Sequence, residues 1–258
     1  VILRRLVTAL RRQDWVTVAI ETLIVVLGVF LGIQLGNWNE ARADRQLGRD
    51  YAVRLIADLE QDLSVVRTLI GYYDDVIESI EDADRMLASA DPEPQALVVA
   101  AYRASEFTYN PKRRATWDQI VSSGDLGLLP QAAIESDLSN YYRFLEANDD
   151  TMSLLQDTPY RRIVRSLIPL PVQLSIRDGC SDVIAEDSSI VGFMAECRLD
   201  ADEAILEETA RALMSSDEMR EMLRYQYSMV ASVQNNLRGD IFVLQGLLGA
   251  LGAETDAP

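Results

Sequence analysis

The 258 residues contain no histidine, one lysine (Lys112) among 24 basic side chains, and two cysteines. Without histidine there is no Ser-His-Asp or Cys-His nucleophile system, no HExxH zinc site and no histidine-ligated haem. A single lysine leaves almost nothing for a Schiff base or a P-loop. The arginine bias, beside abundant alanine and leucine, reads as the mark of a GC-rich bacterial genome rather than of function. Basic charge is also short: 24 Lys and Arg stand against 41 Asp and Glu, net −17. No long basic stripe exists for phosphates, which argues against nucleic acid as a partner.

What the chain does have is one apolar run. Val16 to Gly36 holds a single charge, Glu21, over 21 residues. At 1.5 Å per residue it spans roughly 30 Å, the thickness of a bilayer's hydrocarbon core. Trp15 and Trp38 bracket it, which places an indole near each headgroup layer. Phe242 to Leu251 is too short to be a second span. The predicted organisation is a basic stub at 1–15, a transmembrane helix at 16–38 and a helical domain at 39–258.

Charge sets the expected orientation. Arg4, Arg5, Arg11 and Arg12 precede the span, whereas residues 39–258 carry 20 basic and 39 acidic side chains. The positive-inside rule then leaves the N-terminus in the cytoplasm of a bacterial inner membrane and the domain in the periplasm. Ala41-Arg42-Ala43 superficially resembles a signal-peptidase site. The apolar run exceeds the 7–15 residues of a signal h-region, so a retained anchor is the expectation.

Spacing after the anchor predicts an all-α fold. Ile56, Leu59, Leu63, Val66, Ile70, Tyr73, Ile77 and Ile80 alternate steps of three and four, predicting a long helix that ends at Asp91-Pro92-Glu93-Pro94. Shorter helices are predicted over 95–106, 115–122 (closing at Ser123-Gly124-Asp125), 128–155 as one helix or a pair, and 201–214. Residues 156–200 look least regular, with a weak strand candidate at Val172–Ile176. A capping box at Ser215 and Glu218 predicts a last long helix, seamed by Met219, Leu223, Gln226, Val230, Val233, Leu237, Ile241, Leu244 and Leu248. Long first and last helices with shorter ones between them make a helical bundle.

Four features carry functional expectations. Gly28, Gly32 and Gly36 lie four apart in the anchor, a stripe that admits close approach of another helix. Glu21, seven residues before Gly28, falls within about 20° of it on the helix. It reads either as a carboxylate near the interface or as a polar contact to a partner helix. Cys180 and Cys197 predict one disulfide closing the irregular segment, stabilising by around 3 kcal/mol. Lys112, Arg113 and Arg114, and Arg161, Arg162 and Arg165, form two basic clusters. Internal ion pairing is the expected reading, and docking to lipid headgroups or an acidic partner is the other. No catalytic constellation, metal site or cofactor motif emerges.

The residues Glu21, Leu23, Ile24, Val25, Val26, Gly28, Val29 and Gly32, the boundary Asn37-Trp38-Asn39-Glu40 and the turn Ser122-Ser123-Gly124-Asp125-Leu126 carry a resemblance. The chain resembles a family of uncharacterised bacterial single-span membrane proteins over nearly its whole length. That resemblance implies a short basic N-terminus, an anchor and a periplasmic helical domain; it supplies topology rather than mechanism, since the family has no established enzymatic activity. The expectation is a non-enzymatic accessory subunit. It would dock, through its anchor and domain, onto the transmembrane helices of a larger assembly such as a respiratory or photosynthetic complex, or onto copies of itself. Alternatives are a periplasmic ligand sensor signalling through a partner, and an enzyme using carboxylates or a metal.

Overall fold

A computed structural model describes residues 15–186 and 189–252. The stub with Arg4, Arg5, Arg11 and Arg12 therefore lies outside the described residues, as does the side chain of Trp15. The described residues are mostly helical, with one short strand pair among them. It divides into two compact units, one ending at Tyr51 and one beginning at Ala52.

Helix α1 runs without a break from Trp15 to Leu87. Its part in the first unit is exposed on every face from Ala19 to Leu47, and it is the one described helix long and apolar enough to cross a membrane. An apolar helix with no buried face is unstable in water, whereas lipid satisfies it on all sides. Trp38 is exposed, with the Arg42 guanidinium 5.9 Å from its ring centre.

Within the second unit, α1 buries Leu55, Leu59, Asp62, Val66, Leu69, Tyr73, Val76, Ile80, Ala83 and Leu87. Every step is three or four, so the heptad expectation holds. Its phase differs at alternate positions, because Ile56, Leu63, Ile70 and Ile77 are only half-buried. The true seam passes through a polar residue, Asp62, which an apolar-only pattern skips in favour of Leu63. The helix also stops four residues before the expected Asp91 boundary, in a turn over Ala88–Asp91.

Helix α2 (Pro94–Arg103) starts on Pro94, which has no N–H to leave unsatisfied, while the Glu93 carboxylate caps the amides of Gln95 and Ala96. Helix α3 (Ala115–Ser123) ends on Gly124, whose φ of 78° suits a left-handed cap. The expected helix pair is α4 (Gln131–Glu135) and α5 (Leu138–Ser153), separated by Asp137 at φ 70°. Two further helices follow, α6 (Pro159–Leu167) and α7 (Leu170–Gly179). The candidate strand Val172–Ile176 lies inside α7, where Val172, Ser175 and Ile176 are buried at helical spacing. Tertiary burial overrides its β-like alternation.

The strands are β1 (Asp182–Ile184) and β2 (Ile190–Phe193), antiparallel with Asp182 opposite Phe193. Gly179 is required by close approach, since a Cβ there would lie 2.5 Å from the Arg198 backbone carbonyl oxygen. Cys180 and Cys197 bracket this hairpin in a disulfide, with Cα atoms 4.7 Å apart. Helix α8 (Glu203–Ser215) packs on α2 and α6, and α9 (Asp217–Leu251) packs on α4, α5 and α6. The cap of α9 is Ser216, whose hydroxyl accepts from the Met219 amide at 3.2 Å. The expected Ser215 instead finishes α8 and bonds back to Ala212 O. The expected α9 seam is buried except at Ile241, which is half-buried.

Candidate functional site

The residues expected to mark an anchor lie on the exposed part of α1. A Cβ added at Gly28, Gly32 or Gly36 would meet nothing within 4 Å, so the glycine stripe presents bare backbone to its surroundings. Glu21 is exposed as well. Glycines four apart drift only about 40° per step around a helix, which leaves one flat track with Glu21 at its head.

The two basic clusters lie in the second unit and are engaged with carboxylates. Lys112 Nζ donates to Asp240, with both side chains largely buried, and lies 5.7 Å from the Tyr141 ring centre. Arg113 uses its backbone amide, which donates to Asp62 Oδ1 at 2.9 Å. Arg114 pairs with Asp118 at 3.6 Å, and Arg162 with Asp157 on the surface.

Arg161 and Arg165 converge with Arg177 on a single carboxylate, Glu106, at 3.7, 3.0 and 3.8 Å. The Glu106 side chain is 9% exposed and Arg165 17%. Residue order explains the geometry. Arg161 and Arg165 sit one turn apart on α6, Arg177 on α7, and Glu106 just past the end of α2. Arg165 stacks its guanidinium 3.3 Å from the Tyr102 ring centre and donates from Nε to Ser105 Oγ at 2.9 Å. Burial pulls the pKa of Arg165 and of neighbouring Arg103 below the usual arginine value. Burial, with Glu106 as a second cause, pushes Asp182 above the usual carboxylate range. Several arginines gathered on one buried carboxylate, with Asp182 beside it, form a packing hub of α2, α6, α7 and the hairpin. Nothing in the sequence singles Glu106 out from 40 other acids.

A second buried acid, Asp62, accepts from the Arg113 amide and from Tyr141 Oη at 3.0 Å. Desolvation outweighs these hydrogen bonds and the nearby Lys112 charge, and raises its pKa above 3.8. The native state therefore keeps the Asp62 proton to higher pH than the unfolded chain does. Between the unfolded and folded pKa values it binds more protons, so this group's contribution to stability declines as pH rises through that window. Asp62→Asn removes the decline. Unfolding measured from pH 4 to 7 should give a flatter profile for the variant than for the wild type. A wild-type-minus-variant difference that does not change with pH would contradict the assignment.

Fold and site together define a helical protein with one candidate membrane helix and a disulfide-closed hairpin in its second unit. No protein-family model matches the chain, and no curated protein or solved structure matches it either.

Proposed function

We propose that this protein is a non-enzymatic, membrane-anchored interaction subunit that docks onto a larger assembly through the glycine track of its anchor. In this reading it sits in a bacterial inner membrane, with a cytoplasmic N-terminus and a periplasmic helical bundle, as in the uncharacterised single-span proteins it resembles. The observation that carries the reading is the exposed Gly28-Gly32-Gly36 track headed by Glu21. Between transmembrane helices there is no hydrophobic drive, so association rests on close backbone packing and on polar contacts, and this track offers both. A carboxylate in the span is costly, about 2.5–3.5 kcal/mol at mid-helix and less near the edge, and a partner's hydrogen bond offsets that cost.

The test is Gly28→Leu with Gly32→Leu in the full chain, extracted in mild detergent. A Cβ at either site meets nothing within 4 Å and both positions are exposed, so folding is expected to be unaffected. Co-purifying membrane proteins, or the oligomer, should be lost from the variant. Unchanged co-purification and unchanged particle size would remove the anchor from the docking role.

A further inference from the structure

Leu31, Leu35, Trp38, Arg42, Arg45 and Arg49 follow one another along α1 at steps of four, three, four, three and four. At 3.6 residues per turn they fall within an arc of about 80°, so the six form one stripe about 27 Å long. All six are exposed. The stripe changes character where the apolar run ends, from leucine to an indole and then to three guanidiniums. Acids occupy the same stretch but not the same side. Glu40, Asp44 and Asp50 each lie about 100° or more round the helix from the centre of the stripe. Gly36 lies about 160° round from Trp38, so the stripe and the glycine track face different ways.

Long side chains on a helix lean toward its N-terminus, which here means toward the apolar run. The three arginines do so. The Arg42 guanidinium lies 5.9 Å from the Trp38 ring centre, Arg45 Nε donates to Ala41 O at 2.9 Å, and Arg49 Nη2 donates to Gln46 Oε1 at 3.0 Å. None of these contacts engages a carboxylate. With Trp38 at the edge of the hydrocarbon, Arg42 and Arg45 stand about 6 and 10 Å beyond it and Arg49 about 16 Å. A headgroup layer is about 5–7 Å deep on each side of the bilayer. Backward reach therefore brings Arg42 and Arg45 to its phosphates, and leaves Arg49 within about one Debye length of them. An acidic protein segment would use the guanidiniums alone, whereas a lipid also matches the leucines and the indole that continue the stripe. We infer that this face of α1 seats an anionic phospholipid, with its acyl chains along Leu31 and Leu35 and its phosphate against Arg42 and Arg45. Arg49 adds to the attracting field. This goes beyond the docking function and rests on the reading of α1 as a membrane anchor.

The test places the full chain, carrying Trp15→Phe, in phosphatidylcholine vesicles with a minor share of phosphatidylglycerol brominated on its acyl chains. A parallel sample carries brominated phosphatidylcholine instead. Bromine quenches an indole at close range, so loss of Trp38 emission reports which lipid lies on the stripe. Trp117 is buried and stacked on Tyr142, which makes its emission a constant background. Phosphatidylglycerol is expected to occupy the stripe at least about fivefold more readily than phosphatidylcholine, the worth of one arginine near an anionic surface. The preference should vanish in the triple variant Arg42→Gln, Arg45→Gln, Arg49→Gln and persist in Glu40→Gln, Asp44→Gln on the other side. All five positions are exposed and glutamine is a good helix former, so α1 should stay intact. Equal occupancy by the two lipids, or a preference that survives the triple substitution, would overturn the inference. So would a glutamate-rich soluble peptide that binds through the same three arginines while the lipids go undistinguished, which would assign the stripe to an acidic protein. Quenching of Trp38 by neither lipid would bring down the anchor reading as well, whereas equal quenching by both sinks the lipid site alone.

Discussion

Glu106→Ala is expected to lower stability by about 3–5 kcal/mol, the usual cost of removing one partner from a buried ion pair. Three arginines face this carboxylate, and Asp182 offers a second negative charge to Arg165 and Arg177 alone. Arg161 and Arg165 remain one turn apart on α6 after the substitution, so their repulsion adds to the lost attraction. The Arg165 stack on Tyr102 and its bond to Ser105 hold that guanidinium in place, which limits its escape to water. Thermal unfolding of the full chain in detergent is the measurement. For a domain of this size each kcal/mol corresponds to about 2–4 °C, so a drop of roughly 6–20 °C is predicted. Adding Arg165→Met should recover part of the loss, because one stranded charge is replaced by an apolar side chain of similar length. A Glu106→Ala protein that unfolds at the wild-type temperature would mean that the hub contributes no stability.

The second large effect is expected at Lys112. The chain uses arginine at 23 of its 24 basic positions, and the exception is a buried one. A compact ammonium fits between Asp240 and the Tyr141 ring, where a planar guanidinium needs more room and a different donor geometry. Lys112→Met should cost about 3 kcal/mol or more by leaving the Asp240 carboxylate buried and unpaired, and Lys112→Arg about 1–3 kcal/mol through overpacking. Pairing Lys112→Met with Asp240→Leu should restore most of the stability, since a well-packed apolar pair substitutes for a buried ionic one at little cost. Lys112 also draws the Asp62 pKa down. Its removal should therefore steepen the loss of stability with rising pH, a readout that simple cavity formation would not produce. Additive single and double variants would show that the two side chains do not act as a pair.

The long elements were legible in the sequence because their information is local. The long apolar segment of α1, the three-four spacing of α1 and α9, the proline and glycine boundaries and the helical character of the fold all follow from residues within a few turns of one another. Local rules reached their limit where a polar residue occupied a core position. Asp62 and Gln226 both lie on buried seams, yet Gln226 fell within the expected pattern and Asp62 shifted it by one residue toward Leu63. Capping was similarly ambiguous: adjacent serines at 215 and 216 offer equal chemistry, and where α8 ends decides between them.

Composition and order thus determine that the chain is helical, acidic and built around one lipid-compatible segment, because hydrophobic periodicity and charge count are properties of contiguous residues. Only the tertiary structure decides that Glu106 serves three arginines and that the lone lysine meets Asp240 across 128 positions. Those pairings depend on which helix faces lie within a few ångströms after packing. Among 41 acids and 24 bases, sequence separation carries no information about that distance.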